Sequence, residues 1–229
     1  MKPKTIVITG ASRGIGCELV KQLASDDNHK ILALSRNLEK MQSEFEGMDN
    51  VSCFAFDLSL DTVKKQAEKI FSNVASIDIL INNAGYLVNK PFPEITHADL
   101  LMSYKVNVTG VMETVQAALP KMQEAHIVNI SSVGGFQGSV KFAGLAAYST
   151  SKAALCSFTE LFAEEYKETD IAMNCLCLGA AQTEMLEAAF PGYEAPVSAS
   201  EMAEYIGDFS LNAHKWMRGK IIPVSLSTP

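Results

Sequence analysis

An α/β fold built on a doubly wound parallel sheet, with helices on both faces, is the fold class this sequence predicts, and three observations predict it. Short apolar runs alternate with helix-period segments almost from end to end of the 229 residues, the pattern of repeated βαβ units. Several runs are apolar on consecutive residues, as strands are when helices cover both faces. The first run passes through a glycine-rich turn directly into an amphipathic helix, the arrangement by which such sheets offer a helix N-terminus to a phosphate.

Taken in order, the expected strands are Thr5–Thr9, Lys30–Ser35, Val51–Phe56, Ile77–Asn82, His126–Ser131, Ile171–Cys177 and Lys220–Val224, about seven in all. Between them the periodicity predicts helices over Gly14–Ser25, Leu38–Phe45, Leu60–Ser72, Ala98–Glu124, Ala147–Lys167 and Ser200–Leu211, joined by right-handed crossovers. Pro120 predicts a kink or stop near the end of the long fourth helix. Two stretches, Val133–Leu145 and Glu184–Val197, break the alternation and are expected to be loops. Each follows a strand at its carboxyl end, where open α/β sheets bind ligands, so both are candidate substrate-contacting segments. No linker is apparent, and the length favours one large domain over residues 1–229.

Composition narrows the partners. With 48% apolar and 20% charged residues the chain is ordinary globular material, and no segment approaches the roughly 18 uninterrupted apolar residues of a membrane span. A formal charge of −7 and a pI near 5.1 argue against a nucleic-acid backbone as partner. Met1–Lys4 runs straight into the first strand without an export signal, so a cytoplasmic location is expected. Cys17, Cys53, Cys156, Cys175 and Cys177 show no CxxC spacing and read as buried, reduced thiols. His29, His97, His126 and His214 are scattered, and no catalytic metal is expected.

The first strand ends in Thr9-Gly10-Ala11-Ser12-Arg13-Gly14-Ile15-Gly16 and enters a helix carrying Leu19, Val20 and Leu23. Glycines let backbone approach a diphosphate, and the unpaired N–H groups of the helix start favour the anion. The second strand ends at Leu34-Ser35-Arg36, where an acidic residue would hold a ribose 2′-hydroxyl and an arginine would accommodate a 2′-phosphate. Arg36, with Arg13 in the turn, therefore favours NADPH over NADH. Asp57, followed by Leu58 after the third strand, either borders the adenine site or caps the next helix.

Tyr148 and Lys152 stand at i, i+4 on one helix face, and a nearby lysine cation favours phenolate, lowering a tyrosine pKa from about 10. In the reducing direction the phenol gives its proton to the developing alkoxide. Ser131 and Ser132 end the fifth strand, and Ser132 is the preferred donor to a substrate oxygen.

Taken as a set, the glycine turn at 9–16, Asn82-Asn83-Ala84-Gly85 after the fourth strand, Asn107, Ser132, Tyr148 and Lys152 resemble the short-chain dehydrogenase/reductase family. The resemblance implies a Rossmann-like fold and a tetrad of Asn107, Ser132, Tyr148 and Lys152. In it Tyr148 is the acid/base, Ser132 steadies the carbonyl oxygen, and Lys152 also binds the nicotinamide ribose. Asn107 in the family holds a kinked helix and a water of the proton relay; from the residues alone it reads equally as a helix asparagine bonding nearby backbone. Gly10, Ser12, Arg13, Gly14, Ile15, Gly16, Arg36, Asp57, Leu58, Asn83, Ala84, Gly85, Tyr148, Lys152, Gly179, Ala181 and Thr183 are the implied cofactor-binding residues.

Three departures stand beside these matches. Leu178 occupies the position of a frequent family proline, the Ser132-to-Tyr148 spacing is slightly long, and Gly219–Val224 leads into Ser225–Pro229 without the usual glycine-rich tail. The resemblance further implies a small-molecule carbonyl or alcohol substrate, with 3-oxoacyl thioesters included, and a homodimer or homotetramer formed through the fourth and fifth helices. Leu100, Val108, Val111, Val115, Leu155, Phe158 and Phe162 serve either that interface or the core. The alternative function is a non-catalytic NADPH-binding sensor or scaffold on the same fold.

Overall fold

The computed structural model describes residues 3–226. Seven parallel strands, β1 (Thr5–Thr9), β2 (Lys30–Ser35), β3 (Val51–Ala55), β4 (Ile79–Asn82), β5 (Ala125–Ser132), β6 (Ile171–Leu178) and β7 (Ile221–Val224), form one sheet in the order β3-β2-β1-β4-β5-β6-β7. Strand order reverses between β1 and β4, so a crevice opens at their carboxyl ends.

Alternation along each strand supplies two cores. Ile6, Ile8, Ile31, Ala33, Ile79 and Ile81 face α1 (Gly14–Ala24) and α8 (Ala199–Asn212), where Leu19, Met202, Ile206 and Phe209 meet them. Val7, Leu32, Leu34 and Leu80 face the opposite way, onto Phe71, Val115 and Phe162 of α3 (Val63–Phe71), α5 (Gly110–Ala118) and α6 (Ala146–Glu165). Strands that are buried on both faces explain the consecutive apolar residues of the sequence. Two capping boxes fix helix starts: Thr96 with Asp99 at α4 (His97–Tyr104), and Ser198 with Glu201 at α8.

Two elements depart from the expectation. The fourth helix is not continuous to Pro120: α4 ends at Tyr104, a π-helical turn spans Lys105–Thr109, and α5 follows. Periodicity does not register a turn that inserts one residue per hydrogen-bonded loop. Within Glu184–Val197, residues Glu184–Ala189 form α7, capped by the Thr183 hydroxyl accepting from the Leu186 N–H at 3.2 Å. The remaining helix, α2 (Leu38–Glu44), is capped by the Asn37 side chain. Of the apolar residues left between core and interface, Val111, Val115, Leu155 and Phe162 are core, whereas Leu100 is exposed. No helix among the described residues is long and apolar enough to cross a membrane.

His126 lies inside the sheet-to-α8 layer. Its Nδ1 meets the Ser210 carbonyl at 2.9 Å and its Nε2 faces the Asn174 amide at 3.0 Å. An amide donating to Nε2 leaves the proton on Nδ1, which fixes the neutral tautomer. Burial pushes its pKa down from 6.5 to about 4, and the neighbouring His214 adds to the shift. The unfolded chain thus binds the proton more readily, so stability is complete above pH 6.5 and declines as pH falls towards 4. Denaturant unfolding across that window is expected to show a loss of about 3 kcal/mol, which His126→Gln largely removes.

Candidate active site

Gly10 and Gly14 adopt φ of +73° and +53°, conformations that side chains resist. A Cβ on Gly10 would lie 2.8 Å from the Ala84 Cα, and one on Gly16 would overlap the Gly10 carbonyl. The turn is therefore pressed against the end of β4. Thr9 clamps it there: its hydroxyl accepts from the Asn83 and Ala84 N–H groups, each at 3.1 Å, while the Asn83 amide donates to the Thr9 and Gly10 carbonyls at 3.1 and 3.3 Å. Neither a side-chain cap nor a first-turn acid covers the start of α1. Its N–H groups stay open to an anion.

A cavity of about 540 Å³ runs from this turn across the sheet's switch point. All the expected cofactor-binding residues line it, from Gly10, Ser12, Arg13, Gly14, Ile15 and Gly16, through Arg36, Asp57, Leu58, Asn83, Ala84 and Gly85, to Tyr148, Lys152, Gly179, Ala181 and Thr183. At one end Arg13 and Arg36 are exposed, and neither has a bonding partner among the described residues. Ser35 joins them, donating to the Ser12 hydroxyl at 2.8 Å. Asp57 closes a turn on Ser59, accepting from its N–H at 2.9 Å and its hydroxyl at 2.7 Å, while also lining the cavity. Asp57 therefore borders the cavity but does not cap the next helix, which starts at Val63 behind Thr62 rather than at Leu60.

At the other end Ser132, Tyr148 and Lys152 share the wall. Ser131 is spent elsewhere: its hydroxyl donates to the Lys152 carbonyl at 2.9 Å. Lys152, buried at the strand end, donates from Nζ to the Ile130 carbonyl at 2.8 Å, with Nζ 5.8 Å from the centre of the Tyr148 ring. Gly85 keeps the space before that ammonium clear, since a Cβ there would stand 3.5 Å from Nζ. Burial pushes the Tyr148 phenol up to about 12, against the lowering effect of the Ser132 hydroxyl, and pushes Lys152 down to about 8. The sequence predicts a phenol depressed by the lysine; in this dry setting desolvation sets the direction instead, and the contribution that opposes it is the Ser132 hydroxyl.

Asn107 is fully buried and does not line the cavity. From the π-helical turn its side chain accepts from the Tyr86 N–H and donates to the Tyr86 carbonyl, both at 2.8 Å, and donates to the Ser151 hydroxyl at 2.9 Å. Both irregular stretches reach the cavity, through Val133, Phe142 and Leu145 and through Met185, Leu186, Phe190 and Tyr193. Leu178 extends β6, pairing with Ser132 and Val224, and Ser225 also borders the cavity; Ser227–Pro229 lie outside the described residues. Sequence reasoning missed Thr9, Ser35 and Phe56. Only the hydroxyls at strand ends signalled the first two, and nothing signalled Phe56.

Sheet order and glycine turn together define a dinucleotide-binding α/β protein. A family model described as short chain dehydrogenase matches residues 4–194. The chain is 33% identical over 193 residues to a 3-oxoacyl-(acyl-carrier-protein) reductase of Aquifex aeolicus, covering 81% of this chain and 77% of the relative. It is 30% identical over 186 residues to carbonyl reductase family member 4 of Xenopus laevis, covering 80% and 77%. In fold it matches a short chain dehydrogenase from Burkholderia cenocepacia, crystallised in complex with NADP, with a TM-score of 0.87 at 24% identity over 98% of this chain and 97% of that one. The chain belongs to the short-chain dehydrogenase/reductase family of oxidoreductases.

Gly16→Ala is expected to abolish nucleotide binding, because the added Cβ meets the Gly10 carbonyl rather than a movable side chain. Fluorescence titration with NADPH checks this, with circular dichroism confirming that the variant folds.

Proposed function

We propose that the protein is an NADPH-dependent reductase or dehydrogenase acting on the carbonyl or alcohol carbon of a small or acyl-type substrate. One observation carries this: Ser132, Tyr148 and Lys152 stand on one wall of the cavity whose far end holds the glycine turn and two guanidiniums, Arg13 and Arg36, without a bonding partner among the described residues. When bound, the nicotinamide supplies or accepts the hydride. The open start of α1 would hold its diphosphate, and Gly85 leaves room beside Lys152 for the ribose. Arg13 and Arg36 would hold the 2′-phosphate, in keeping with the NADP bound by the Burkholderia protein.

The protein's own residues then orient the substrate and move one proton. The Ser132 hydroxyl donates to the substrate oxygen, and the Tyr148 phenol, protonated at neutral pH by virtue of its raised pKa, gives its proton to the developing alkoxide. Lys152, cationic below about 8, stabilises the charge left on the phenol. Asn107 acts as a positioning residue, holding Tyr86 and Ser151 behind this group. The free cysteines fit a reducing, cytoplasmic setting, and exposed Leu100, Leu101, Tyr104 and Leu161 on α4 and α6 suit a homodimer or homotetramer.

NADPH oxidation, followed by absorbance against ketones, aldehydes, diketones and 3-oxoacyl thioesters, tests the reading. Tyr148→Phe is expected to lower kcat by about 10²-fold or more. Tight NADPH binding without turnover of any compound would instead indicate a sensor. Arg36→Ala is expected to weaken NADPH binding by roughly 10–100-fold while leaving NADH nearly unaffected, as loss of a charge-assisted hydrogen bond predicts. The reduction rate is expected to fall as pH rises through about 8, where Lys152 loses its charge.

A further inference from the structure

Behind the cavity wall, three of the five cysteines converge. Cys156 lies on α6 one turn beyond Lys152, and Cys175 and Cys177 alternate onto the same face of β6. All three are buried, and their sulfurs lie within 4.8 Å of one another. Cys156 Sγ is 3.9 Å from that of Cys175 and 3.5 Å from that of Cys177. Ser131 Oγ completes the group at 3.5 Å from Cys156 Sγ. These sulfurs are too far apart for disulfide bonds, and all three cysteines are free.

We infer that Cys156, Cys175, Cys177 and Ser131 form a tetrahedral site for a divalent thiophilic ion of the zinc class. Bonds of about 2.3 Å to sulfur at a tetrahedral centre set sulfurs about 3.8 Å apart, and a bond of about 2.1 Å to oxygen sets it about 3.6 Å from each sulfur. The observed spacings of 3.9 and 3.5 Å between sulfurs, and 3.5 Å from sulfur to oxygen, match that figure within a few tenths of an ångström. Ser131 donates its proton to the Lys152 carbonyl at 2.9 Å, which leaves its lone pairs for the ion.

Charge also closes. Three S–H protons leave to solvent as three metal–sulfur bonds form, and no oxidant or reductant takes part. Three thiolates and a divalent ion carry one net negative charge, which the Lys152 ammonium, in electrostatic reach of all three sulfurs, neutralises. A monovalent ion would leave an uncompensated negative charge in the core. Phe136 and Ile221 pack over the cluster, so uptake requires α6 to part briefly from β6 and is slow. The site is structural, pinning α6 to β6 directly behind the lysine.

The test uses the full-length protein, purified under reducing conditions, incubated with Zn²⁺ and dialysed against a weak chelator. Elemental analysis is expected to find one zinc per chain in the wild type and in Cys17→Ala and Cys53→Ala, and none in Cys156→Ala or Cys175→Ala. Substitution with Co²⁺ is expected to give the intense visible bands of tetrahedral cobalt and the ultraviolet bands of thiolate ligation, and Zn²⁺ to raise the thermal midpoint of the wild type. A wild type that retains no zinc, or whose cobalt form lacks those bands, overturns the inference. So does zinc retained undiminished by the Cys156 and Cys175 variants; should those variants fail to fold, the wild-type cobalt spectrum decides alone.

Discussion

Everything in the cleft depends on how closely the turn after β1 approaches the end of β4. Gly10 sits against the Ala84 backbone at a distance no side chain permits, and Thr9 and Asn83 lock that approach with four hydrogen bonds. The clamp sets the direction of α1, whose first turn faces the cavity, and brings the end of β4 level with it. With β4 paired to β5 in register from Ile79–His126 to Asn82–Asn129, the same constraint places Ser132 a few residues further along the neighbouring strand. The two ends of the cleft are thus fixed by one contact between backbones.

Burial then decides the chemistry of the far end. Lys152 is held beneath the strand ends by the Ile130 carbonyl, and its own carbonyl is held by Ser131. A lysine in that position sheds its proton more easily than in water, and a half-enclosed phenol holds its proton more firmly. The pair therefore stands ready in the acid form, with tyrosine protonated and lysine cationic at neutral pH.

The sheet was legible in the sequence because its strands are buried on both faces and its turns carry glycine. Strand ends were off by at most two residues, as where Ile77 and Asp78 precede β4 rather than belong to it. Tyr148, Lys152, Ser132 and the glycine turn were legible because spacing and strand ends carry them. Asn107 was legible only by resemblance, since its partners Tyr86 and Ser151 lie 21 and 44 residues away. The π-helical turn, α7 and the meeting of Cys156 with Cys175 and Cys177 were not legible: each rests on tertiary placement that local periodicity does not encode. The shift in Tyr148 was misjudged for a related reason, because a sequence names a neighbouring charge but not the water that burial removes.

Asn107 meets Tyr86 as an adjoining strand would, returning one N–H and one C=O across a side chain. The chain leaving β4 is thereby tied off at Tyr86, before it wanders outward through Pro91 and Pro93 to α4. Beyond that tether the chain remains fastened to the rim of the cleft, with the Asn89 amide donating to the Ala189 carbonyl at 2.6 Å and the Lys90 N–H to the Gly144 carbonyl at 3.0 Å. Residues 88–96 therefore act as a strap across the two irregular segments that border the cleft, and a change of length there would be transmitted to both of them.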